Sequence, residues 1–305
     1  MRITEYRIIL PTNVPQYQIG NLYMCNQRTR ETAGNGEGIE IVKNEPYEEG
    51  DEKGQYTHKI MHFKSKVPKF IRWAIPDKYL HVHEKSHNSY PHFHTLYEMP
   101  GMGKDFYLLV ESQHIPYDKE KGCPDNVLNL TKEELEIRQV SYLDILDSQP
   151  KPEKKEWDMH GFICPEAEVN QKLETGAGTK KYKADESKVP SWVANYNGEL
   201  MICVKVVKFL FHWRGLQTAV EKLALNTVFH DVFLDSHRAL MVWAKDWFPM
   251  DIEGIRKLEA ELVEEQKQQH FDKDDDENLE PLKKPDGGDD DDSGDAEAKK
   301  GKSKK

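Results

Sequence analysis

Residues 54–65 read GQYTHKIMHFKS, and their alternation predicts a β-strand with a polar interruption on one face. Successive side chains of a strand point to opposite faces of a sheet. One face carries Thr57, Lys59, Met61 and Phe63, and the other carries Tyr56, His58, Ile60 and His62. If the Met61 face lines a sheet interior, that interior holds a hydroxyl and an ammonium group. A buried ammonium is costly without an anion, so either Lys59 faces solvent or the interior receives an anionic group.

Charge divides the chain into a domain and a tail. Residues 272–305 contain 13 acidic and 8 basic residues and almost no large apolar residue. This composition predicts a disordered tail after a single domain at residues 1–271. The formal net charge is −11, of which the tail supplies −5 (8 minus 13), leaving −6 for the domain. A negative domain is not expected to bind nucleic acid.

The cysteines and the hydrophobic runs indicate a cellular location. The four cysteines are widely spaced, which favours reduced thiols in a cytoplasmic protein. The first ten residues alternate like a strand and lack the pattern of a signal peptide. No run approaches the ~18 apolar residues of a membrane-spanning helix. We therefore expect a cytoplasmic protein that meets membranes from the aqueous side.

The order of predicted elements indicates an α+β fold. Strands are expected near residues 2–10, 37–43, 55–64, 79–85, 91–97, 105–113, 138–145 and 200–213, and helices near 14–30, 132–138, 216–248 and 251–270. Residues 46–54 read as a turn, and 149–199 form a long regulatory-type loop without sustained periodicity. Short connections favour a mostly antiparallel sheet of about eight strands. Such a sheet can curve around one long helix and leave an internal cavity suited to a lipid or sterol.

Several segments together resemble the single-domain class of phosphatidylinositol transfer proteins. They include EYRIILP at 5–11, GQYTHKI at 54–60, NSYP at 88–91 and WRGLQ at 213–217, in order and at compatible spacing. The resemblance extends from about residue 2 to residue 270. It implies a START-like helix-grip fold with a C-terminal lid helix. Members of that family enclose one phospholipid and exchange it between membranes, so the resemblance implies a carrier and not an enzyme.

Four residues match the headgroup contacts of that family. The resemblance assigns Thr57, Lys59, Asn88 and Glu259 to inositol-phosphate binding. Their hydroxyl, ammonium, amide and carboxylate groups can pair with phosphate oxygens and inositol hydroxyls. Read alone, Thr57 is also an ordinary strand residue, Asn88 a turn residue and Glu259 a solvated helix charge. A choline headgroup offers no hydroxyls, so these groups would favour inositol lipids.

The resemblance also implies a wider lipid pocket. Its predicted members are Asn21, Phe93, Thr95 and Ser112. Phe93 replaces a cysteine that the family places near the choline-lipid headgroup, whereas Thr95 is retained. Phosphatidylinositol is therefore the expected cargo, with phosphatidylcholine as a second lipid.

The segment WRGLQ implies a membrane-docking site at Trp213 and Arg214. The family carries a Trp-Trp pair there, and this chain keeps one tryptophan of that pair, because Arg214 stands at the second position. A tryptophan suits the membrane–water interface, and an arginine can pair with lipid phosphate. The alternative is that Trp213 packs beneath the turn between the last strand and the long helix.

Two rival functions remain open on the sequence. The first is an adaptor that presents phosphatidylinositol to lipid kinases without carrying it between membranes. The second is a zinc protein, because His81 with His83 and His92 with His94 are spaced to share a strand face. No acidic or cysteine ligand completes a recognisable set, and no nucleophile motif is present. We expect no metal, no cofactor other than the bound phospholipid as cargo, and a monomer when the lipid is loaded.

Overall fold

The computed structural model describes residues 1–32, 38–50, 52–62, 75–76, 79–159, 162–163, 173, 182–267 and 282. The strands are β1 (Arg2–Leu10), β2 (Gly38–Glu49), β3 (Glu52–His62), β4 (His81–Ser89), β5 (His92–Glu98), β6 (Phe106–Pro116), β7 (Arg138–Leu143) and β8 (Met201–Phe211). The α-helices are α1 (Val14–Thr32), α2 (Lys132–Ile137), α3 (Gln217–Leu223), α4 (Phe229–Val242), α5 (Ala244–Trp247) and α6 (Ile252–Lys267). Short 3-10 turns lie at Gly103–Asp105, Lys155–Trp157 and Ser191–Asn195.

The strands form one open sheet. Within the described residues its order is β2-β3-β4-β5-β6-β8-β1-β7. All neighbouring pairs are antiparallel except β1 with β7, which run parallel. The predicted α+β class and the eight-stranded, mostly antiparallel sheet are therefore confirmed.

The edge strand β2 is longer than the sequence predicted. The expected turn at 46–54 is wrong at both of its ends, because β2 continues through Pro46 to Glu49 and β3 begins at Glu52. Proline is tolerated here because β2 lies at the sheet edge, where a missing N–H costs little. A register shift between Ile41 and Lys43 marks a bulge, and Gly50 turns the chain with φ +61°.

The hydrophobic core lies between one half of the sheet and the helices. Tyr6 and Leu10 of β1 are buried beside Cys203 and Val207 of β8. Tyr17 of α1 is buried in the same cluster. Burying a large apolar side chain contributes roughly 1.5–3 kcal/mol, so this half of the sheet is a stable platform.

The long helix expected at 216–248 is interrupted. Between α3 and α4 the chain forms a π-helical turn at Ala224–Val228. The widened turn disturbs the regular ladder of backbone hydrogen bonds, and the hydroxyl of Tyr6 donates to the carbonyl of Leu225 within it. A second break at Trp243 separates α4 from α5.

The described parts of the loop at 149–199 are tied to the helices. Arg238 of α4 is fully buried and donates to the carbonyl oxygens of Ile145, Asp147 and Pro150. Trp157 is buried with the guanidinium of Arg28 4.8 Å from its ring centroid. The regulatory character predicted for this loop is not tested, since much of it lies outside the described residues.

None of the helices in the described residues combines the length and the apolar character that crossing a bilayer requires.

Candidate functional site

Lys59 lies on the inner face of the sheet, which is one of the two placements that the strand alternation left open. Its Nζ donates to Oε1 of Glu84 at 3.0 Å. The two residues are directly opposite each other on β3 and β4. The side chain of Lys59 is 20% exposed and that of Glu84 is 11% exposed, so this ion pair is largely withdrawn from water. Phe63, expected on the same face, lies outside the described residues.

The environment of Lys59 keeps its ammonium charged. Burial opposes the charge, but the nearby negative charges of Glu84 and Glu259, with the hydrogen bond to Glu84, outweigh it. The pKa of Lys59 is therefore raised above its usual value. Burial, followed by the charge and hydrogen bond of Glu84, also raises the pKa of Tyr97 well above the usual range. Tyr97 thus stays a neutral donor beside the ion pair.

Strand register arranges the predicted residues in three neighbouring rows across the inner face. We call them the acid row (Lys59, Glu84, Tyr97), the hydroxyl row (Thr57, Ser86, Thr95) and the lysine row (Asn88, Phe93, Ser112, Lys205). Neighbouring rows are two residues apart along each strand, which is about 7 Å. The sheet therefore brings six predicted residues onto one surface.

The hydroxyl row holds an unused donor. Oγ1 of Thr57 is buried and has no hydrogen-bond partner within the described part of the chain. Ser86 and Thr95 are satisfied by each other, with their hydroxyl oxygens 2.8 Å apart. The Ser86 hydroxyl also lies 2.9 Å from Oδ1 of Asn88, which accepts from it. An unpaired buried hydroxyl is costly, and a polar ligand at this row would remove that cost.

Glu259 of α6 lies near enough to Lys59 for its negative charge to help raise the pKa of that lysine. Its Oε2 accepts from Nη1 of Arg256 at 2.5 Å, and its side chain is 15% exposed. Helix α6 is fixed to α1 by Arg30, whose Nε and Nη2 donate to the two carboxylate oxygens of Glu265 at 2.9 and 3.1 Å. A bidentate pair of this kind gives α6 a defined orientation over α1.

A second lysine, which the sequence analysis missed, lies in the lysine row. Nζ of Lys205 donates to Oγ of Ser112 at 3.1 Å and lies 5.3 Å from the ring centroid of Phe233. Within the described residues no carboxylate lies within 4.0 Å of it. The signal was present, because Lys205 stands between Cys203 and Val207 on the apolar face of its strand.

Asn21 and Phe93 border a buried aromatic group. The hydroxyl of Tyr17 lies 3.4 Å from Oδ1 of Asn21 and 3.1 Å from Nε2 of His237. Phe93 meets His114 edge-on, with ring centroids 5.0 Å apart. Through these contacts, the predicted pocket residues Asn21 and Phe93 lie near the end of the sheet that carries the lysine row.

Trp213 is buried in this structure, with 3% of its surface exposed, whereas Arg214 is exposed. Its ring stacks on Phe211 with centroids 6.5 Å apart. The alternative in which Trp213 packs beneath the turn after β8 therefore describes its position. Membrane docking through Trp213 and Arg214 stays a prediction.

The histidines of the zinc hypothesis lie on the outer face of the sheet. Nε2 of His58 and Nδ1 of His83 are 3.1 Å apart, an ordinary hydrogen-bond distance. Among the described residues, no group of three or more histidine, cysteine or acidic side chains is arranged to hold a metal ion. The expectation that the protein needs no metal stays a prediction.

The fold and the three inner-face rows define an α+β protein that carries polar side chains on one surface of its sheet. Comparison with known proteins identifies its family. The model of the family described as phosphatidylinositol transfer protein matches residues 1–264. Phosphatidylinositol transfer protein 2 of Dictyostelium discoideum is 37% identical over 265 residues, which cover 87% of this chain and 95% of that protein. The beta isoform of phosphatidylinositol transfer protein of Homo sapiens is 35% identical over 264 residues, covering 86% and 92%. The chain therefore belongs to the phosphatidylinositol transfer protein family, as the resemblance predicted, and this membership supports a role in lipid transfer.

Proposed function

We propose that this protein encloses one phosphatidylinositol molecule between its sheet and its helices and exchanges it between membranes without changing it chemically. The observation that carries the proposal is the charged Lys59 beside the unpartnered hydroxyl of Thr57 on an inner sheet face. An interior that keeps an ammonium charged and a hydroxyl unused is suited to a ligand that is anionic and rich in oxygen atoms.

The acid and hydroxyl rows supply the chemistry for an inositol ring. Thr57 can donate to a ring oxygen, and the carboxylates of Glu84 and Glu259 can accept from ring hydroxyls. Asn88 can do both. A choline headgroup would leave these groups unpaired, which would favour inositol lipids over choline lipids.

The lysine row supplies a place for the lipid phosphate. Lys205 donates to the hydroxyl of Ser112, and among the described residues no carboxylate lies within 4.0 Å of it, so an anion can approach its ammonium without displacing a carboxylate. Ser112 can then donate to a second phosphate oxygen. The phosphate is common to phosphatidylinositol and phosphatidylcholine, so this row would hold both lipids and would not distinguish them.

The acyl chains would lie between the inner face of the sheet and the helices, beyond the polar rows. Every residue of β5 and most of β3 are half-buried, although they lie in the interior of the strand order. This partial exposure supports a START-like helix-grip fold with an internal cavity. In our proposal α6 is the lid of that cavity, and its Arg30–Glu265 contact opens when the lipid leaves.

The remaining expectations belong to the same proposal. The folded unit is residues 1–271, and the protein works as a cytoplasmic monomer that touches membranes transiently through Trp213 and Arg214. Phosphatidylcholine is a second cargo, with Phe93 reshaping the pocket where the family has a cysteine. The adaptor alternative predicts lipid binding without net transfer by the purified protein.

A vesicle transfer assay with Lys59→Ala tests the headgroup assignment. Transfer of phosphatidylinositol should fall at least about tenfold, because a charge-assisted contact to the headgroup is lost, while phosphatidylcholine transfer persists. Lys85→Ala is the matched control, since Lys85 pairs with Glu98 on the outer face of the neighbouring strand. Undiminished phosphatidylinositol transfer by folded Lys59→Ala protein would contradict the proposal.

A double variant separates loss of binding from loss of stability. Lys59→Ala leaves the carboxylate of Glu84 buried without its partner, which destabilises the fold. Adding Glu84→Gln removes that uncompensated charge. The double variant should regain thermal stability and still fail to transfer phosphatidylinositol. Mass spectrometry of the lipid that co-purifies with the wild-type protein identifies the cargo directly.

A further inference from the structure

Histidines are concentrated on one part of the sheet. Seven of the 13 histidines in the chain lie between residues 58 and 94. Four of them share the outer face of β3, β4 and β5, and these are His58, His83, His87 and His94. His87 lies directly opposite His94, with ring centroids 6.4 Å apart. Nε2 of His58 lies 3.1 Å from Nδ1 of His83. The strand register therefore gathers four imidazole rings into one cluster.

These rings belong to a surface that we call the histidine face. It is the outer side of β2 to β5 from the row of Tyr56 to the row of Ile60, so it is three rows deep and four strands wide. Every side chain on it is half-buried or exposed. It shares no side chain with the acid and hydroxyl rows behind it, because neighbouring residues of a strand point to opposite faces. Within the described part of the chain, this face is accessible to a partner.

The fixed charges of the histidine face nearly cancel. They belong to two lysines and three glutamates, which are Lys43, Lys85, Glu40, Glu45 and Glu98. Their sum is −1 (2 minus 3). Imidazole is the side chain whose charge changes between about pH 5 and pH 8. The sign of the net charge on this surface is therefore set by its histidines.

The pair of His58 and His83 takes up one proton before a second. Their two facing nitrogens share a single hydrogen bond, in which one nitrogen donates and the other accepts. Burial, followed by the charges of His83 and Lys85, lowers the pKa of His58. Glu98 and Lys43 act on it more weakly and in opposite directions. A doubly charged pair would lose its hydrogen bond and add repulsion, so we count one proton for the pair in mildly acid solution.

His87 and His94 each add a proton to that count. The ring centroids of Tyr47 and Tyr56 lie 5.0 and 4.9 Å from that of His87. His94 lies opposite Glu111 on the neighbouring strand β6. With these two protons and the one on the pair, the net charge of the histidine face changes from −1 to about +2 (−1 plus 3). Mild acid thus reverses the sign of this surface.

We propose that the histidine face is a docking surface for anionic membranes and that it acts in mildly acid solution. Tyr56, Ile60 and Leu96 lie among its charged groups, and aromatic and apolar side chains of this kind suit the membrane–water interface. Four strands also give a broad surface roughly 15 Å wide, which can lie against a bilayer. The negative potential of an anionic membrane concentrates protons at its surface by about half a pH unit, so docking and protonation reinforce each other.

This inference goes beyond the proposed function, because it concerns the outer side of the sheet and not the cargo. At about pH 7.5 the face has a net charge of −1 and is not expected to attract anionic lipid. Lipid transfer measured at that pH therefore does not depend on it.

Vesicle binding by the full-length protein tests the inference. The probe is phosphatidylcholine vesicles that contain phosphatidylserine. Wild type should bind them at least about tenfold more tightly at about pH 5.5 than at about pH 7.5, because each positive charge near an anionic surface adds about fivefold in affinity. Vesicles of phosphatidylcholine alone should show no such gain, and about 0.5 M salt should remove it.

Two double variants of opposite charge separate docking from stability. His87→Gln with His94→Gln cannot take up two of the protons and should lose most of the gain in acid. His87→Lys with His94→Lys carries both charges at every pH, and at about pH 7.5 it should bind the same vesicles at least about tenfold more tightly than wild type. A purely structural role of the two rings would weaken binding in both variants. Circular dichroism at both pH values checks that each variant is folded.

Three results would overturn the inference. The first is the same pH dependence in wild type and in the glutamine variant, and the second is no gain in the lysine variant. The third is equally tight binding of a single-stranded oligonucleotide at about pH 5.5, which would assign the face to nucleic acid. Failure of the proposed function has a different signature, since phosphatidylinositol transfer at about pH 7.5 would then be absent from wild type while vesicle binding still depended on pH.

Discussion

The two halves of the sheet differ on their inner faces. The packed half, formed by β6, β8 and β1, has an inner face of buried side chains such as Leu10, Cys203 and Val207. The open half, formed by β2, β3, β4 and β5, has mostly half-buried side chains on the same face, Lys59 among them, although Glu84 and Ser86 of β4 are buried. One continuous sheet thus combines a surface covered by the protein's own core with a surface on which many side chains stay partly exposed.

Under the proposed function, this difference separates the residues that stabilise the fold from those that bind lipid. The packed half meets α1 and α4 through apolar and aromatic side chains, and these contacts stabilise the fold. The polar rows lie mainly on the open half, where an interior charge destabilises less because fewer apolar groups surround it. Of the row members, Ser112 and Lys205 lie on the packed half.

The largest effect should come from removing an apolar side chain of the packed half. Leu10→Ala should lower the free energy of unfolding by about 3 kcal/mol, because the cavity it leaves is enclosed by rigid neighbours. Met61→Ala, on the inner face of the open half, should cost less than about 1 kcal/mol. Urea denaturation of both variants measures the contrast. Equal costs would show that the two halves are packed alike.

Acidification should act on the packed half as well. Burial and then the positive charge of Lys205 lower the pKa of His237 to about 3, so its ring stays neutral and accepts from Tyr17. The unfolded chain binds a proton near pH 6.5, so stability is full above that pH and declines as the pH falls from there toward 3. The decline from pH 8 to pH 5 should reach about 2 kcal/mol for this one group.

Urea denaturation at several pH values measures that decline, and His237→Gln should reduce it. If the variant does not fold, NMR of the histidine rings in wild type gives the same information. A ring signal of His237 that titrates near pH 6.5 in the folded protein would contradict the prediction.

A smaller effect should separate the lysine row from the acid row. Lys205→Met should reduce the transfer of phosphatidylinositol and phosphatidylcholine alike by about tenfold, because both lipids carry the phosphate. Lys208→Met is the control, since Lys208 lies on the outer face of the same strand and pairs with Glu134 at 2.6 Å. A loss confined to phosphatidylinositol would place Lys205 with the headgroup residues instead.

Much of the fold was predictable because its signals are local. The alternation of side chains along residues 2–10 predicted both ends of β1. The capping box of Thr131 and Glu134 predicted the start of α2. The π-helical turn was not predictable in this way. It is accompanied by the contact of Tyr6 with Leu225, 219 residues away, and no local pattern reports such a contact.

The candidate site was predictable where a polar residue interrupts an apolar face. That signal identified Thr57 and Lys59, and the same signal at Lys205 was available. No such signal marked Glu84, because β4 carries polar side chains on both faces. Its inward-facing residues cannot be recognised without the strand register. The roles of the rows toward lipid stay predictions until transfer is measured.

The three rows have an evolutionary consequence. Their members meet because five strands keep one register, and a one-residue insertion in β4 before Glu84 would turn Glu84, Ser86 and Asn88 outward together. Descendants of this chain can therefore gain or lose residues freely only in the turns between these strands. A lineage that adopts a new cargo is expected to do so by exchanging inward side chains one at a time, at constant strand length.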